Sequence, residues 1–84
     1  MSGADIKTIV LKHLGKIAPE ADLETVPPDA NLRRVLDIDS LDALNFFIAL
    51  HEELGVEIPE SDYEQLSTLE SIVRYLSERT GAAA

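Results

Sequence analysis

Ser40 stands in Asp39-Ser40-Leu41-Asp42, a hydroxyl among acids where a loop passes into an apolar segment. A serine nucleophile needs a general base within hydrogen-bond reach. His13 and His51 are the chain's two histidines. His51 is about three turns further along the same expected helix, roughly 16 Å of rise away. His13 falls on the apolar stripe of the first expected helix. Both read as ordinary partly buried or surface histidines, which makes a Ser40–His51 hydrolase the least favoured reading. Paired carboxylates can do acid–base work, yet nothing in the sequence implies a pocket around them. No catalytic residue is assigned.

Metal chemistry fares no better. Asp37-Ile38-Asp39 opens like a calcium loop, but Leu41, Asp42 and Ile48 stand where an oxygen ligand, a glycine and a bidentate glutamate are required. Cys is absent, which excludes thiolate metal sites, disulfides and cysteine nucleophiles. The four glycines are scattered and form no phosphate-binding loop. No metal ligands are assigned. What survives is covalent modification of Ser40 by another enzyme. A helix N-terminus favours an attached phosphate, and a loop–helix junction is open to a modifying enzyme. Taken alone, Asp-Ser-Leu is a weak motif whose plain reading is a helix cap.

The elements that must position Ser40 follow from periodicity. Ile6, Ile9, Val10, His13, Leu14 and Ile17 form one stripe of a first helix over about residues 4–18, which Pro19 ends. A long connection over about residues 20–38 contains Pro27-Pro28, which cannot continue a helix. Leu23, Val26, Leu32, Val35 and Leu36 are expected to pin it to the core. Connections this long tend to be functional. The second helix starts near Ser40, with Asp39 or Ser40 as its cap, and ends at Gly55. Residues 56–59 read as an extended link. Ser61 with Glu64 resembles a capping box for a short third helix over about residues 60–66. Ser67 with Glu70 repeats the signal for a fourth over about residues 68–80, with Leu69, Ile72, Val73 and Leu76 inward. The expectation is an all-α four-helix bundle with a short third helix and a long first loop. It is one domain over residues 1–84, ordered over about 4–80, with a frayed tail at 81–84.

Size and charge narrow the function. A chain of 84 residues buries only about 60–65% of its unfolded surface, leaving little room for an enzyme cleft. The first seven residues lack a basic region followed by an apolar run, so no signal peptide is expected. No apolar stretch approaches the roughly 20 residues needed to span a bilayer. A cytoplasmic monomer is expected. Sixteen acids against seven bases give a net charge of −9, which argues against nucleic acid and anionic membranes. Residues 35–73 contain no Lys or Arg and ten acids: Asp37, Asp39, Asp42, Glu52, Glu53, Glu57, Glu60, Asp62, Glu64 and Glu70. Such a surface gives solubility and also steers towards basic partners.

The second helix is more apolar than one core face requires. Ala43, Phe46, Phe47, Leu50 and Leu54 share one arc, while Leu41, Leu44 and Ile48 occupy a neighbouring one. Either this helix is central and touches all the others, or the second arc is a docking stripe rimmed by acids.

At this point the chain resembles the acyl carrier protein family. The resemblance is carried by Val35-Leu36-Asp37-Ile38-Asp39-Ser40-Leu41-Asp42 and by Ala49-Leu50-His51-Glu52-Glu53-Leu54-Gly55-Val56-Glu57-Ile58-Pro59. It implies a free-standing, non-catalytic carrier of acyl thioesters for fatty-acid, lipid or polyketide-type biosynthesis. Ser40 would carry 4′-phosphopantetheine, transferred from coenzyme A by a phosphopantetheinyl transferase that Asp39 assists. Leu41, Leu44 and Ile48, with Asp42, Glu52 and Glu53, align with positions that meet partner enzymes. Those partners would be acyl-transferring, condensing or acyl-activating enzymes with basic docking patches. Phe46, Phe47, Leu50, Leu54, Ile58, Leu69 and Ile72 would line an acyl cavity. Asp37 stands where the common fatty-acid form has Gly, and Asn45 and His51 where it usually has acids. Phe46-Phe47 is bulkier than the usual aliphatic pair. The alternatives are an aminoacyl or peptidyl carrier, or an unmodified acidic adaptor docking a basic partner through the second helix.

Overall fold

The computed structural model describes residues 2–81. Three long helices dominate: α1 (Gly3–Ile17), α3 (Ser40–Leu54) and α4 (Leu69–Thr80). A short α2 (Leu32–Val35) and two 3-10 helices, Leu23–Thr25 and Glu60–Gln65, lie in the links between them. The described residues are all-α, as expected. The second, third and fourth expected helices correspond to α3, Glu60–Gln65 and α4. Residues 82–84 of the expected tail lie outside the described residues.

α1 begins with a capping box between Ser2 and Asp5. It packs directly against α4 and against α3. Ile6, Val10 and Leu14 from α1, Phe46, Phe47 and Leu50 from α3, and Leu69, Ile72, Tyr75 and Leu76 from α4 form the core, with Leu32, Val56 and Leu66 added by the links. Gly55 ends α3 at φ 68°, a left-handed conformation that glycine adopts without the penalty of a Cβ.

The long connection is held at several points. Leu32 is buried, and its amide donates to the Ser67 carbonyl at 2.8 Å, while the Glu70 amide donates to the Pro28 carbonyl at 2.9 Å. Leu23, Val26 and Leu36 pack against the core as expected. Val35 does not: it is 49% exposed. Val35 is the last residue of α2, and beyond it Leu36 and Ile38 supply the inward side chains instead.

Two capping expectations are corrected. Pro59 precedes the helix Glu60–Gln65, which has no side-chain cap, so Ser61 and Glu64 do not form a box. At α4 the box lies one residue later, between Thr68 and Ser71, because Ser67 is still extended link whose carbonyl receives Leu32. Glu70 instead pairs with Arg74 one turn on, at 3.0 Å. Tyr75 and Asp62 tie α4 to the 3-10 helix Glu60–Gln65 through a 2.6 Å hydrogen bond, and Arg79 lies over the Tyr75 ring.

Candidate functional site

Three local devices set the position of Ser40. Asn31 caps α2 by accepting from the Arg34 amide at 3.1 Å. Asp37, at φ 54°, turns the chain back so that the Ile38 amide donates to the Arg33 carbonyl at 3.1 Å. This is the six-to-one bond of a Schellman-type helix end, with aspartate in the left-handed place. Asp39 then caps α3 by accepting from the Asp42 amide at 2.8 Å. Ser40 is the first residue of α3 and is exposed.

The turn also returns α2 towards the serine. The Arg33 guanidinium donates to the Ser40 hydroxyl, with Nη2 to Oγ at 3.0 Å. A hydroxyl has two acceptor lone pairs and one proton, so this contact leaves one lone pair and the O–H available. The exposed hydroxyl beside a guanidinium suits an attached phosphodiester, which is singly negative and an acceptor.

Ser40 and Arg33 open onto a cavity of about 580 Å³, with Leu44, Phe46, Phe47 and Ile72 further in. A smaller cavity of about 350 Å³ is lined by Phe47, Ile48, His51 and Ile58. Both share Tyr63, whose ring stacks on Phe47 at 4.4 Å between centroids, so this ring pair forms the wall between them. Leu50, Leu54 and Leu69, expected around an acyl chain, pack in or against the core and line neither cavity.

On the outer surface of α3, Leu41 is 64% and Ile48 44% exposed, while Leu44 is partly buried. α1 packs most closely against both other long helices, and Leu41 and Ile48 on α3 stay exposed, so packing in the core does not account for the whole apolar width of α3. Glu52 is exposed and Asp42 is partly buried in the first turn. Glu53 is already engaged: its carboxylate lies 2.8 Å from Lys12 Nζ and 2.7 Å from His13 Nε2. These two neighbours, Lys12 foremost, hold its carboxyl below the usual carboxylate range.

Both histidines are occupied elsewhere. His51 Nδ1 lies 2.8 Å from the Val56 carbonyl, which can only accept, so Nδ1 carries the proton. His13 faces Glu53. Arg33 and Tyr63 are the site residues that sequence reasoning missed. The only advance signal for Arg33 was a pair of arginines shortly before the serine.

Comparison with known proteins adds the chemistry. A family model described as a phosphopantetheine attachment site matches residues 4–76. The acyl carrier protein of Thermosynechococcus vestitus is 35% identical over 77 residues, covering 92% of this chain and 89% of that protein. The acyl carrier protein of a Picosynechococcus species is 34% identical over 77 residues, with the same coverage.

Proposed function

This chain belongs to the acyl carrier family of phosphopantetheine-binding proteins, and from that membership we propose that Ser40 is its attachment point and acyl groups its cargo. The protein is a non-catalytic carrier with covalently bound 4′-phosphopantetheine. The terminal thiol of that group supplies the nucleophile for thioesters, which a chain without cysteine cannot provide itself. The observation that carries the reading is the exposed Ser40 hydroxyl at the first position of α3, beside Arg33 and at the mouth of the larger cavity.

Attachment is a substitution at phosphorus. Ser40 Oγ forms a bond to the pantetheine-bearing phosphorus of coenzyme A, the bond to the second phosphate breaks, and the nucleotide bisphosphate leaves. The hydroxyl proton passes to a base of the transferase or to water. Asp39 supports this step from the neighbouring position while holding α3 by its cap. Leu41, Leu44 and Ile48 serve as the apolar contacts for partner enzymes, with Asp42 and Glu52 as acids for their basic patches. Glu53 contributes mainly by fastening α1 to α3, since its carboxylate is already paired. Phe46, Phe47 and Ile72 line the space available to an acyl chain, and the Phe47–Tyr63 stack limits its depth.

Among the described residues no helix is long and apolar enough to cross a membrane. The carrier acts as a cytoplasmic monomer in fatty-acid, lipid or polyketide-type biosynthesis. Loading assays decide the cargo. The loaded protein is expected to gain the mass of a fatty acyl group with an acyl-activating ligase and none with an aminoacyl-activating one. The reverse pattern would make it an aminoacyl carrier.

A further inference from the structure

In an acid-rich chain, Arg33 addresses a neutral hydroxyl. Its guanidinium reaches Ser40 Oγ at 3.0 Å, and the ion pairs among the described residues do not include it. The backbone that carries it is fixed on both sides. Leu32 is buried and hydrogen-bonded to Ser67, Asn31 caps the turn, and the Arg33 carbonyl receives the Ile38 amide. The turn thus fixes where the Arg33 side chain starts, and the hydrogen bond to Ser40 fixes where it ends.

A serine hydroxyl is a modest partner for a guanidinium, whereas a phosphodiester is a strong one. Hydrogen bonds to a charged acceptor are shorter and roughly twice as strong as neutral ones, and the planar fork of arginine matches two phosphate oxygens at once. Esterification places the phosphorus on Oγ, so the non-bridging oxygens lie two bonds beyond an atom that Arg33 already touches. The added negative charge also enters a surface where residues 35–73 hold ten acids and no Lys or Arg. Arg33, at the edge of that stretch, is the cation in contact with the attachment atom.

We propose that Arg33 is a positioning residue for the modified serine: its guanidinium holds the Ser40 hydroxyl before attachment and the phosphodiester oxygens after it. This rests on Ser40 being the attachment point. Because Arg33 and Ser40 both line the mouth of the larger cavity, the clamp roots the arm on the cavity side of α3. Arg34, exposed and next in the chain, makes no hydrogen bond to Ser40 among the described residues and is the internal control.

The test compares wild type, Arg33→Ala, Arg33→Lys and Arg34→Ala after treatment with a phosphopantetheinyl transferase and coenzyme A. Intact mass checks loading. The phosphorus NMR shift of each loaded protein is then read against the same protein unfolded in urea. Wild type and Arg34→Ala are expected to show a folded-state displacement, Arg33→Ala to lose it, and Arg33→Lys to retain part. The rise in Tm on loading should be smaller in Arg33→Ala than in wild type by roughly 2–4 °C. Failure of wild type to load would overturn the attachment reading itself. Normal loading, with Arg33→Ala keeping both the displacement and the Tm rise, would overturn the clamp alone. If Arg33→Ala does not fold, an unchanged displacement in Arg33→Lys counts against the clamp and a reduced one supports it.

Discussion

His13 and Glu53 meet at 2.7 Å and join the C-terminal half of α1 to the last turn of α3. An ionised carboxylate only accepts, so His13 Nε2 carries the proton. Glu53 is held below its ordinary value of 4.5 by Lys12 and then by His13. A carboxylate with a lowered folded pKa contributes stability above its unfolded value, and loses it as pH falls through the folded value. The wild type should therefore lose Tm more steeply than Glu53→Gln below about pH 4.5. Calorimetry over the acidic range checks this, and superimposable acid limbs would show that the contact contributes nothing.

Asp37 makes a second prediction, because a non-glycine residue at φ 54° holds the turn that brings Arg33 to Ser40. The left-handed region costs most L-residues about 1–2 kcal/mol, and aspartate is among those that tolerate it best. Asp37→Ala should lose about 1 kcal/mol. Asp37→Gly should be neutral or gain up to about 1 kcal/mol, relief of the turn outweighing the entropy of glycine. Urea unfolding distinguishes them, and equal losses in both variants would contradict the account.

Between α4 and the 3-10 helix Glu60–Gln65, Tyr75 donates to Asp62 at 2.6 Å. Tyr75→Phe leaves the ring packed and removes the bond, which should cost about 1–2 kcal/mol in urea unfolding. Burial, followed by the Asp62 hydrogen bond, pushes the Tyr75 phenol above its ordinary 10.0. A raised folded pKa contributes stability below the unfolded value and loses it as pH rises through the folded one. The wild type should thus lose stability above about pH 10 more steeply than Tyr75→Phe. Parallel alkaline limbs would contradict this.

α3 offers a contrast between two leucines. Leu50 is fully buried and Leu41 is 64% exposed. Leu50→Ala should cost about 2–5 kcal/mol, whereas Leu41→Ala should change stability by less than about 0.5 kcal/mol. If Leu41 meets partners, Leu41→Asp should keep its fold and its melting curve while slowing acyl transfer from a partner enzyme. Unchanged transfer would remove Leu41 from the docking surface.

Much of this was legible because it is local. Ser40 at a helix start, Gly55 as a stop and the stripe of α1 depend on neighbours within a turn or two. α2 was not legible: four residues carry no period, and the turn depends on Leu32 reaching Ser67 across the molecule. The same contact displaced the α4 cap from Ser67 to Thr68. Val35 reads as inward because it is apolar, but apolarity alone does not decide burial. The Arg33–Ser40 contact required the left-handed turn at Asp37, which a residue other than glycine does not announce.

The central claim is attachment at Ser40, and intact-protein mass spectrometry tests it most directly. After incubation with a broad-specificity phosphopantetheinyl transferase and coenzyme A, the wild type should gain one phosphopantetheine and Ser40→Ala none. A wild type that gains no mass, or a Ser40→Ala variant that gains the same mass, would contradict the account.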